Sequence, residues 1–334
     1  MLVMEPPRAS WYAHGSPAQL YWTAPPQAEA QVTAPMATHP SPQPSIPPST
    51  ATPPALPRAA ASVVLLRDAP GAGLQVLLLR RHGRAAVLGG AHVFPGGKVD
   101  AADAALDAPQ HLDQTPATLH ASLGEPALDE PAACALYVAA AREVFEECGV
   151  LMVHGTPRLQ PDDAAGPFNG MLARHGLRLA TRDMAPWSRW ITPVASTMNN
   201  MANSRFDTRF FVAVLPAGQT ALHDGHENTE SAWLGPREAL QRYWDGAITL
   251  APPQIMSLAH LSRHADTASV LHAARQQRPP VIQPEPIQID GLRAVCYPGD
   301  ASHPVRERAL PGPTRLVWRN ERFEPVDGLA ALLG

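Results

Sequence analysis

The stretch Arg142-Glu-Val-Phe-Glu-Glu-Cys-Gly-Val150 closes an alanine-rich run that begins near Ala132. Alanine favours helix, and either Asp129 or Glu130 could cap the first turn of the run. Gly149 supplies the left-handed residue on which such helices end. The sequence therefore predicts a helix that stops at Gly149.

Three carboxylates lie on one side of this predicted helix, because residues three and four apart share a face. They belong to Glu143, Glu146 and Glu147. Acids this close repel one another unless a cation lies among them, and an all-oxygen ligand set suits a hard divalent cation such as Mg²⁺. Arg142 could hold one carboxylate in place by a charge-assisted hydrogen bond. From the helix alone, a solvated acidic face remains the alternative.

A second stretch, Phe94-Pro-Gly-Gly-Lys-Val-Asp100, predicts a glycine turn upstream of the helix. Glycines at positions 96 and 97 allow the backbone to approach a ligand more closely than any other residue would. Alone, a Gly-Gly pair indicates only a turn. Combined with the acidic helix end, it favours a site in which backbone carbonyls and carboxylates face the same ion.

Together the two stretches resemble the Nudix box, Gly-x5-Glu-x7-Arg-Glu-hydrophobe-x-Glu-Glu-x-Gly-hydrophobe. Gly97 matches the first glycine, and the second half of the box is matched by Arg142, Glu143, Glu146, Glu147, Gly149 and Val150. Asp103 stands where the box has its first glutamate. Residues 104–141 replace the seven-residue spacer, so this box is interrupted by a long insertion.

The interrupted box is similar to the Nudix branch typified by the peroxisomal coenzyme A diphosphatase. Trp190-Ile-Thr-Pro193 and Arg205-Phe-Asp-Thr-Arg-Phe-Phe211 also resemble that branch, and the likeness extends roughly over residues 62–252. The resemblance implies an α/β fold, the Nudix α/β/α sandwich with a mixed β-sheet.

The resemblance also implies an enzyme that hydrolyses a diphosphate bond with Mg²⁺, or with Mn²⁺ instead. The implied metal ligands are the Gly96 carbonyl, Glu143, Glu146 and Glu147, and the implied catalytic residues are Arg142, Glu143, Glu146, Glu147 and Glu230. Arg142 would position the carboxylates, and Glu230, ahead of Glu227, would serve as an extra ligand or base. In this branch the substrate is coenzyme A or acyl-CoA, and the products are adenosine 3′,5′-bisphosphate and (acyl) 4′-phosphopantetheine.

Three arginines are predicted to contact the substrate: Arg81 and Arg84 before the glycine turn, and Arg205 ahead of a later strand. Their guanidinium groups suit phosphate, and the polar loop 198–203 could add a contact. Coenzyme A-hydrolysing members carry Leu-Leu-Thr-x-Arg-[Ser/Ala]-x3-Arg-x3-Gly-x3-Phe-Pro-Gly-Gly here. The chain matches this pattern at Arg81, Gly90 and Phe94 to Gly97, and departs from it at Leu79, His82 and Ala86.

These departures keep two other functions open. One is a Nudix pyrophosphatase acting on ADP-ribose, NADH or nucleoside triphosphates. The other is a non-catalytic Nudix module that senses a ligand, although the intact box acids argue against it. A third interpretation, a scaffold that recruits a partner through its proline-rich tail, rests on the N-terminal segment alone.

Composition divides the 334-residue chain into three predicted parts. Residues 1–58 are rich in Pro, Ala, Ser, Thr and Gln, and predict a disordered tail because they cannot bury enough apolar surface. Residues 59–250 form the predicted Nudix domain, with an insertion of unassigned role over 104–130. Residues 251–334 predict a C-terminal helix and a proline-rich extension, for which a contact in a homodimer is one role.

Charge and cysteine content limit the partners. The formal net charge of −4 gives no electrostatic basis for binding nucleic acid. No apolar run approaches the roughly 20 residues of a membrane span, and three cysteines without a Cys-x-x-Cys pair suit a reducing compartment. These features predict a cytoplasmic protein without nucleic-acid or membrane partners, and the resemblance implies a small-molecule diphosphate as its partner. Its C-terminus lacks a peroxisomal Ser-Lys-Leu signal.

Hydrophobic patterning predicts the elements around the box. Strands are expected over 60–67, 74–80 and 206–215, the first two joined as a hairpin. Helices are expected over 168–179, 236–244 and 253–275, and short strands over 292–297 and 314–319.

Overall fold

The computed structural model describes residues 56–85, 87–155, 157, 166–193 and 205–334. The first elements in chain order are β1 Arg58–Ala69, β2 Gly73–Arg81, β3 His92–Val93, β4 Gly96–Lys98, α1 Ala101–Ala104, α2 Ala108–His111, α3 Pro116–Leu123, α4 Glu130–Cys148 and α5 Phe168–Arg174. The remainder are β5 Met184–Ile191, β6 Phe206–Val214, β7 Asn228–Leu234, α6 Pro236–Trp244, α7 Pro252–Leu261, α8 Thr267–Gln276, β8 Val281–Ile282, β9 Glu285–Ile289, β10 Leu292–Cys296, β11 Arg315–Arg319, β12 Arg322–Glu324 and α9 Ala330–Leu333. Residues 1–55 of the predicted tail and the loop 198–203 lie outside the described residues.

A mixed sheet of eight strands runs through the centre of the fold. Its main path is β3-β2-β1-β6-β5-β8, with β4 also paired to β1 and β7 to β2. The predicted hairpin is confirmed, since β1 and β2 run antiparallel with Leu66 opposite Val76. β1 and β6 run parallel, which makes the sheet mixed.

Helices cover both faces of this sheet, because consecutive residues of a strand point to opposite sides. Along β1, Val63 and Leu65 pack with α3 and α4 in one core. Val64 and Leu66 pack with α6, α7 and α8 in the other. The predicted α/β/α sandwich is thereby confirmed.

The central helix α4 has the predicted limits. Asp129 is its cap, accepting a hydrogen bond from the Ala132 N–H at 2.8 Å. Its last residue is Cys148, and Gly149 follows with φ of 71°. A run of small alanines lets this helix lie close against β1, which brings the acidic end of the helix beside the glycine turn.

The insertion within the box is largely helical. It contains α2 and α3, and α3 packs against α4, where Ser122 Oγ and Tyr137 Oη are 2.6 Å apart. Beyond α3, Gly124 takes a left-handed φ of 65° and turns the chain back towards α4. The insertion is therefore a packed part of the domain that lies beside the box.

Two helices differ from their predictions. The helix expected over 253–275 is wrong in its continuity, since α7 ends at Leu261 and α8 starts at Thr267. Asp68 of β1 accepts bonds from the N–H and hydroxyl of Thr267 at 2.9 and 2.7 Å, and Asp266 caps α8. These bonds start a new helix. The helix predicted over 168–179 ends earlier, because Gly176 takes a left-handed φ of 59°.

The C-terminal extension forms a second, antiparallel sheet in the order β12-β11-β10-β9. The two strands predicted in it are confirmed as β10 and β11. The sheet shares a core with the Nudix fold, in which Leu316 and Phe323 pack with α6, and Tyr243 Oη donates to the Phe323 carbonyl at 2.8 Å. No helix of the described residues is long and apolar enough to cross a bilayer.

Candidate active site

Arg142 lies at the centre of an acidic cluster at the end of α4. Its guanidinium donates Nε and Nη2 to the two Asp103 carboxylate oxygens, at 2.8 and 2.9 Å. Nη1 bridges Glu143 and Glu146 at 2.8 and 2.9 Å, and Nη2 also donates to the Lys98 carbonyl at 3.0 Å. One guanidinium thus connects three carboxylates, and the positioning role of Arg142 stays a prediction that these contacts support.

Asp103, which stands where the box has its first glutamate, binds Arg142 through both carboxylate oxygens. It is almost fully buried, and it accepts the Asp100 N–H at 2.8 Å as well as both bonds from Arg142. The sequence flagged Asp103 only as a departure from glutamate. Its bidentate contact fixes the plane of the guanidinium, and with it the positions of Glu143 and Glu146.

Glu143 and Glu147 are carboxylates that the fold withdraws from water. Burial raises the pKa of Glu143 to about 7, against the opposing effect of Arg142. Burial and the neighbouring Glu143 charge raise the pKa of Glu147 to about 8. The neighbouring positive charges and hydrogen bonds do not fully offset the cost of burying these two ionised carboxylates. A cation beside them would supply the missing positive charge.

The glycine turn touches both of these acids. The Gly96 N–H donates to Glu147 Oε2 at 3.1 Å. A Cβ placed on Gly97 would lie 2.4 Å from Glu143 Oε1, so only glycine allows this approach. Gly96 itself has φ of 158° and lies against Ser62 of β1.

The predicted metal ligands suit a hard divalent cation, because all of their ligand atoms are carboxylate or backbone oxygens. Among the described residues, no three or more acidic, His or Cys side chains converge in a metal-binding arrangement. Arg142 holds Glu143 and Glu146, while Glu147 is turned to the Gly96 N–H. The predicted ligand set of the Gly96 carbonyl with Glu143, Glu146 and Glu147 therefore stays a prediction, to which the two under-compensated acids lend support.

The loop between β6 and β7 carries Glu227, and β7 itself carries Glu230, the two further acids considered for the site. The negative charge of Glu227 acts on both Glu143 and Glu147. Glu230, predicted as the base, lies on β7 opposite Arg80, with which it forms an exposed ion pair at 3.7 Å. The electrostatics therefore favour Glu227, the second choice from sequence, over Glu230.

Of the predicted substrate-binding arginines, Arg81 is the one whose charge reaches the box. It lowers the pKa of Glu147 against the effect of burial. Its buried Nε has no hydrogen-bond partner among the described residues, and the same holds for the side-chain amide of Asn228, which lies opposite Arg81 on β7. Sequence reasoning missed Asn228, because nothing but its place after Glu227 marks it.

The other two arginines occupy different settings. Arg84 is exposed in the loop after β2, where its N–H donates to His82 Nδ1 at 3.1 Å. Arg205 is buried before β6, and its Nε and Nη2 both donate to the Thr192 carbonyl, at 3.2 and 3.0 Å. Substrate contact by either residue stays a prediction.

The sequence as a whole matches a known family. The family described as NUDT19 Nudix domain matches residues 55–261, which include both halves of the box, its insertion and α7. The chain belongs to this family of Nudix hydrolases. The acyl-coenzyme A diphosphatase NUDT19 of Homo sapiens is 31% identical over 267 residues, which cover 67% of this chain and 67% of that protein.

Two further proteins place this Nudix hydrolase among its relatives. The acyl-coenzyme A diphosphatase NUDT19 of Gallus gallus is 30% identical over 264 residues, covering 61% of this chain and 68% of that protein. The crystal structure of a NUDIX hydrolase from Alicyclobacillus acidocaldarius superposes with a TM-score of 0.53 at 27% identity, covering 65% of this chain and 96% of the other. The fold and the diphosphatase class expected from the sequence are thus confirmed.

Proposed function

We propose that this Nudix hydrolase cleaves the diphosphate bond of coenzyme A and acyl-CoA, giving adenosine 3′,5′-bisphosphate and (acyl) 4′-phosphopantetheine. The observation that carries the proposal is the pair of buried acids, Glu143 and Glu147, packed against the Gly96–Gly97 turn. The two relatives whose printed names specify acyl-coenzyme A support the substrate.

Each group of residues at the site has a separate role in the proposed reaction. Asp103 and Arg142 hold Glu143 and Glu146 in register, so that carboxylate oxygens face the place where a polyanionic diphosphate would lie. Mg²⁺ or Mn²⁺, held by the Gly96 carbonyl, Glu143, Glu146 and Glu147, would supply positive charge to the diphosphate and acidify water. Arg81 would bind a phosphate oxygen, for which its buried Nε has a free donor.

Hydrolysis adds one water across the P–O–P bridge. The water oxygen forms a bond to one phosphorus, the bridging oxygen leaves with the other, and the water proton must be removed. Glu227 is the acid that we assign to this proton, because its charge reaches Glu143 and Glu147. Glu230 would serve instead only if its ion pair with Arg80 opened.

The test is Mg²⁺-dependent hydrolysis of coenzyme A and dodecanoyl-CoA beside ADP-ribose and NADH, with the products identified. The proposal predicts adenosine 3′,5′-bisphosphate from the first two and slower turnover of the others. Preference for ADP-ribose or NADH would instead support the second candidate, which the departures at Leu79, His82 and Ala86 favour. Binding without turnover of any diphosphate would support a sensor.

The location that we propose is the cytoplasm. All three cysteines, Cys134, Cys148 and Cys296, are buried and unpaired. Burial raises the pKa of the Cys148 thiol to about 12, so this thiol is unreactive. Free buried cysteines suit a reducing compartment.

A further inference from the structure

A cavity of about 700 Å³ lies between the box insertion and one end of the strands β1, β6 and β5 of the central sheet. Its size is within the range of small-molecule sites, roughly 300–1,000 Å³. One wall is the returning loop of the insertion, Gly124–Leu128, and the opposite wall is the strand start at Pro57 and Ala59 with Val99 and α1. The insertion, to which the sequence assigned no role, thus builds one side of a pocket.

One end of the cavity lies close to the glycine turn of the box. Along β1, Ala59 of the cavity lies two residues from Ala61, which pairs with Gly97 of the glycine turn. Two strand residues span about 7 Å. Asp100, at the cavity rim, also lies 4.0 Å from Nη2 of Arg142.

The helix α4 gives a second line of continuity. Ala132 and Ala135 line the cavity, and Glu146 lies 14 and 11 residues further along. Spacings of 11 and 14 residues return to nearly the same face of an α-helix, since it has 3.6 residues per turn. One face of α4 therefore carries the cavity wall and then the box acids.

The surface of the cavity suits an uncharged, chain-like ligand. The walls include apolar and small side chains, with Val99 towards the glycine turn and Leu128 and Leu136 by the first half of α4. At the far end, four charged residues bind one another rather than solvent: Arg189 and Arg209 each pair with Glu125 and Asp207, at 2.5 to 3.0 Å. Two positive and two negative charges balance within this network, and Arg278, which also lines this end, donates to the Gly124 carbonyl.

We propose that this cavity holds the (acyl-)pantetheine arm of the substrate, and that the box insertion exists to form its outer wall. The inference rests on the proposed function, because it needs a coenzyme A thioester at the box. The diphosphate would lie at the acids of α4, the neutral arm would run along the face of Ala132 and Ala135, and the adenosine half would lie outside the cavity.

Each product contains one half of the substrate, so inhibition by each product measures the binding of that half separately. The variant Ala127→Trp fills the cavity from an exposed position of the insertion loop, and Ala132→Leu narrows it from α4. Ala121→Trp, exposed on α3 outside the lining, is the matched control. Inhibition of coenzyme A hydrolysis is measured with 4′-phosphopantetheine, with its dodecanoyl thioester and with adenosine 3′,5′-bisphosphate.

We expect both cavity variants to raise the inhibition constant of 4′-phosphopantetheine about tenfold, since each methylene kept in water costs roughly fourfold in affinity. The acylated product should lose more, while the constant for adenosine 3′,5′-bisphosphate stays within about twofold of wild type. Equal changes for all three products, or none, would overturn the inference. A wild-type protein that cleaves other diphosphates but no coenzyme A compound would overturn the proposed function instead.

Discussion

Two clusters of charged side chains, each with buried and partly exposed members, differ in the balance of their positive and negative charges. The network between the insertion and the sheet pairs two arginines with two acids, all four bound to each other: Arg189, Arg209, Glu125 and Asp207. At the end of α4, Arg142 binds the three acids Asp103, Glu143 and Glu146. Glu147 lies beside them, where the charge of Arg81 reaches it, so the acids outnumber the arginines. In this second cluster, burial raises the pKa of Glu143 to about 7 and that of Glu147 to about 8.

The difference separates structure from function. A balanced buried network offsets the cost of removing its charges from water, and it ties the insertion to β5 and β6. An unbalanced one is tolerated where another cation completes it, as a divalent ion bound with the substrate diphosphate would do. Mutations in the two clusters should therefore change the stability of the protein in opposite directions.

The largest expected effect is on turnover. Glu146→Gln or Glu147→Gln should lower kcat for coenzyme A at least a hundredfold, because each removes a charge from the acid cluster that binds the metal. Glu130→Gln, on the exposed first turn of the same helix, is the matched control and should leave kcat within twofold. A box variant that keeps more than a tenth of the wild-type rate would contradict the assignment.

Stability should change in opposite directions in the two clusters. In metal-free protein at pH 8, Glu125→Gln should lower the free energy of unfolding by about 3 kcal/mol, since it leaves Arg189 and Arg209 partly uncompensated. Glu147→Gln should raise it by on the order of 2 kcal/mol, because it removes a buried charge that the fold alone does not balance. Denaturant unfolding measures both, and the same sign in both variants would refute the comparison.

The pH dependence of metal-free stability follows from the same acids. In the folded protein the pKa is about 7 for Glu143 and about 8 for Glu147, above the ordinary 4.5. Between pH 4.5 and pH 8, the folded protein therefore binds more protons than the unfolded protein. Stability that is present below pH 4.5 is therefore lost as pH rises towards 8, by at most about 1.4 kcal/mol per pH unit for each acid.

Glu147→Gln isolates this effect from the histidines, which titrate in both proteins. The difference in unfolding free energy between variant and wild type should grow from pH 5 to pH 8 in the presence of a chelator, and should shrink when Mg²⁺ is added. A difference that does not depend on pH would mean that Glu147 titrates normally.

A further pair of variants should distinguish the two candidates for the general base. Glu227→Gln should lower kcat about a hundredfold, the lower range for loss of a general base, whereas Glu230→Gln should change it by less than threefold. Each variant is assayed for coenzyme A hydrolysis across pH 6 to 9. The reverse order would restore the sequence-based choice of Glu230.

The box and its helix could be predicted because their determinants are local. Asp129 caps α4, Gly149 ends it, and helical spacing places Glu143, Glu146 and Glu147 together. The hairpin of β1 and β2 follows from strand and turn residues in one short segment. The sandwich itself came from the box resemblance.

What could not be predicted depends on residues far apart in the sequence. Arg209 and Glu125 are separated by 84 positions, and nothing in the insertion marks its acid as the partner of β6. The break between α7 and α8 depends on Asp68, 199 positions from Thr267. The choice between Glu227 and Glu230 likewise depends on strand register, because β7 places Glu230 opposite Arg80.

The central claim is that the acids of α4 bind a divalent cation that the fold itself does not replace. Calorimetric titration of metal-free protein with Mn²⁺ at pH 8, for wild type and Glu147→Gln, tests it without any substrate. The account predicts saturable binding with proton release in the wild type, and at least tenfold weaker binding in the variant. Equal binding by the two proteins, or none by the wild type, would contradict it.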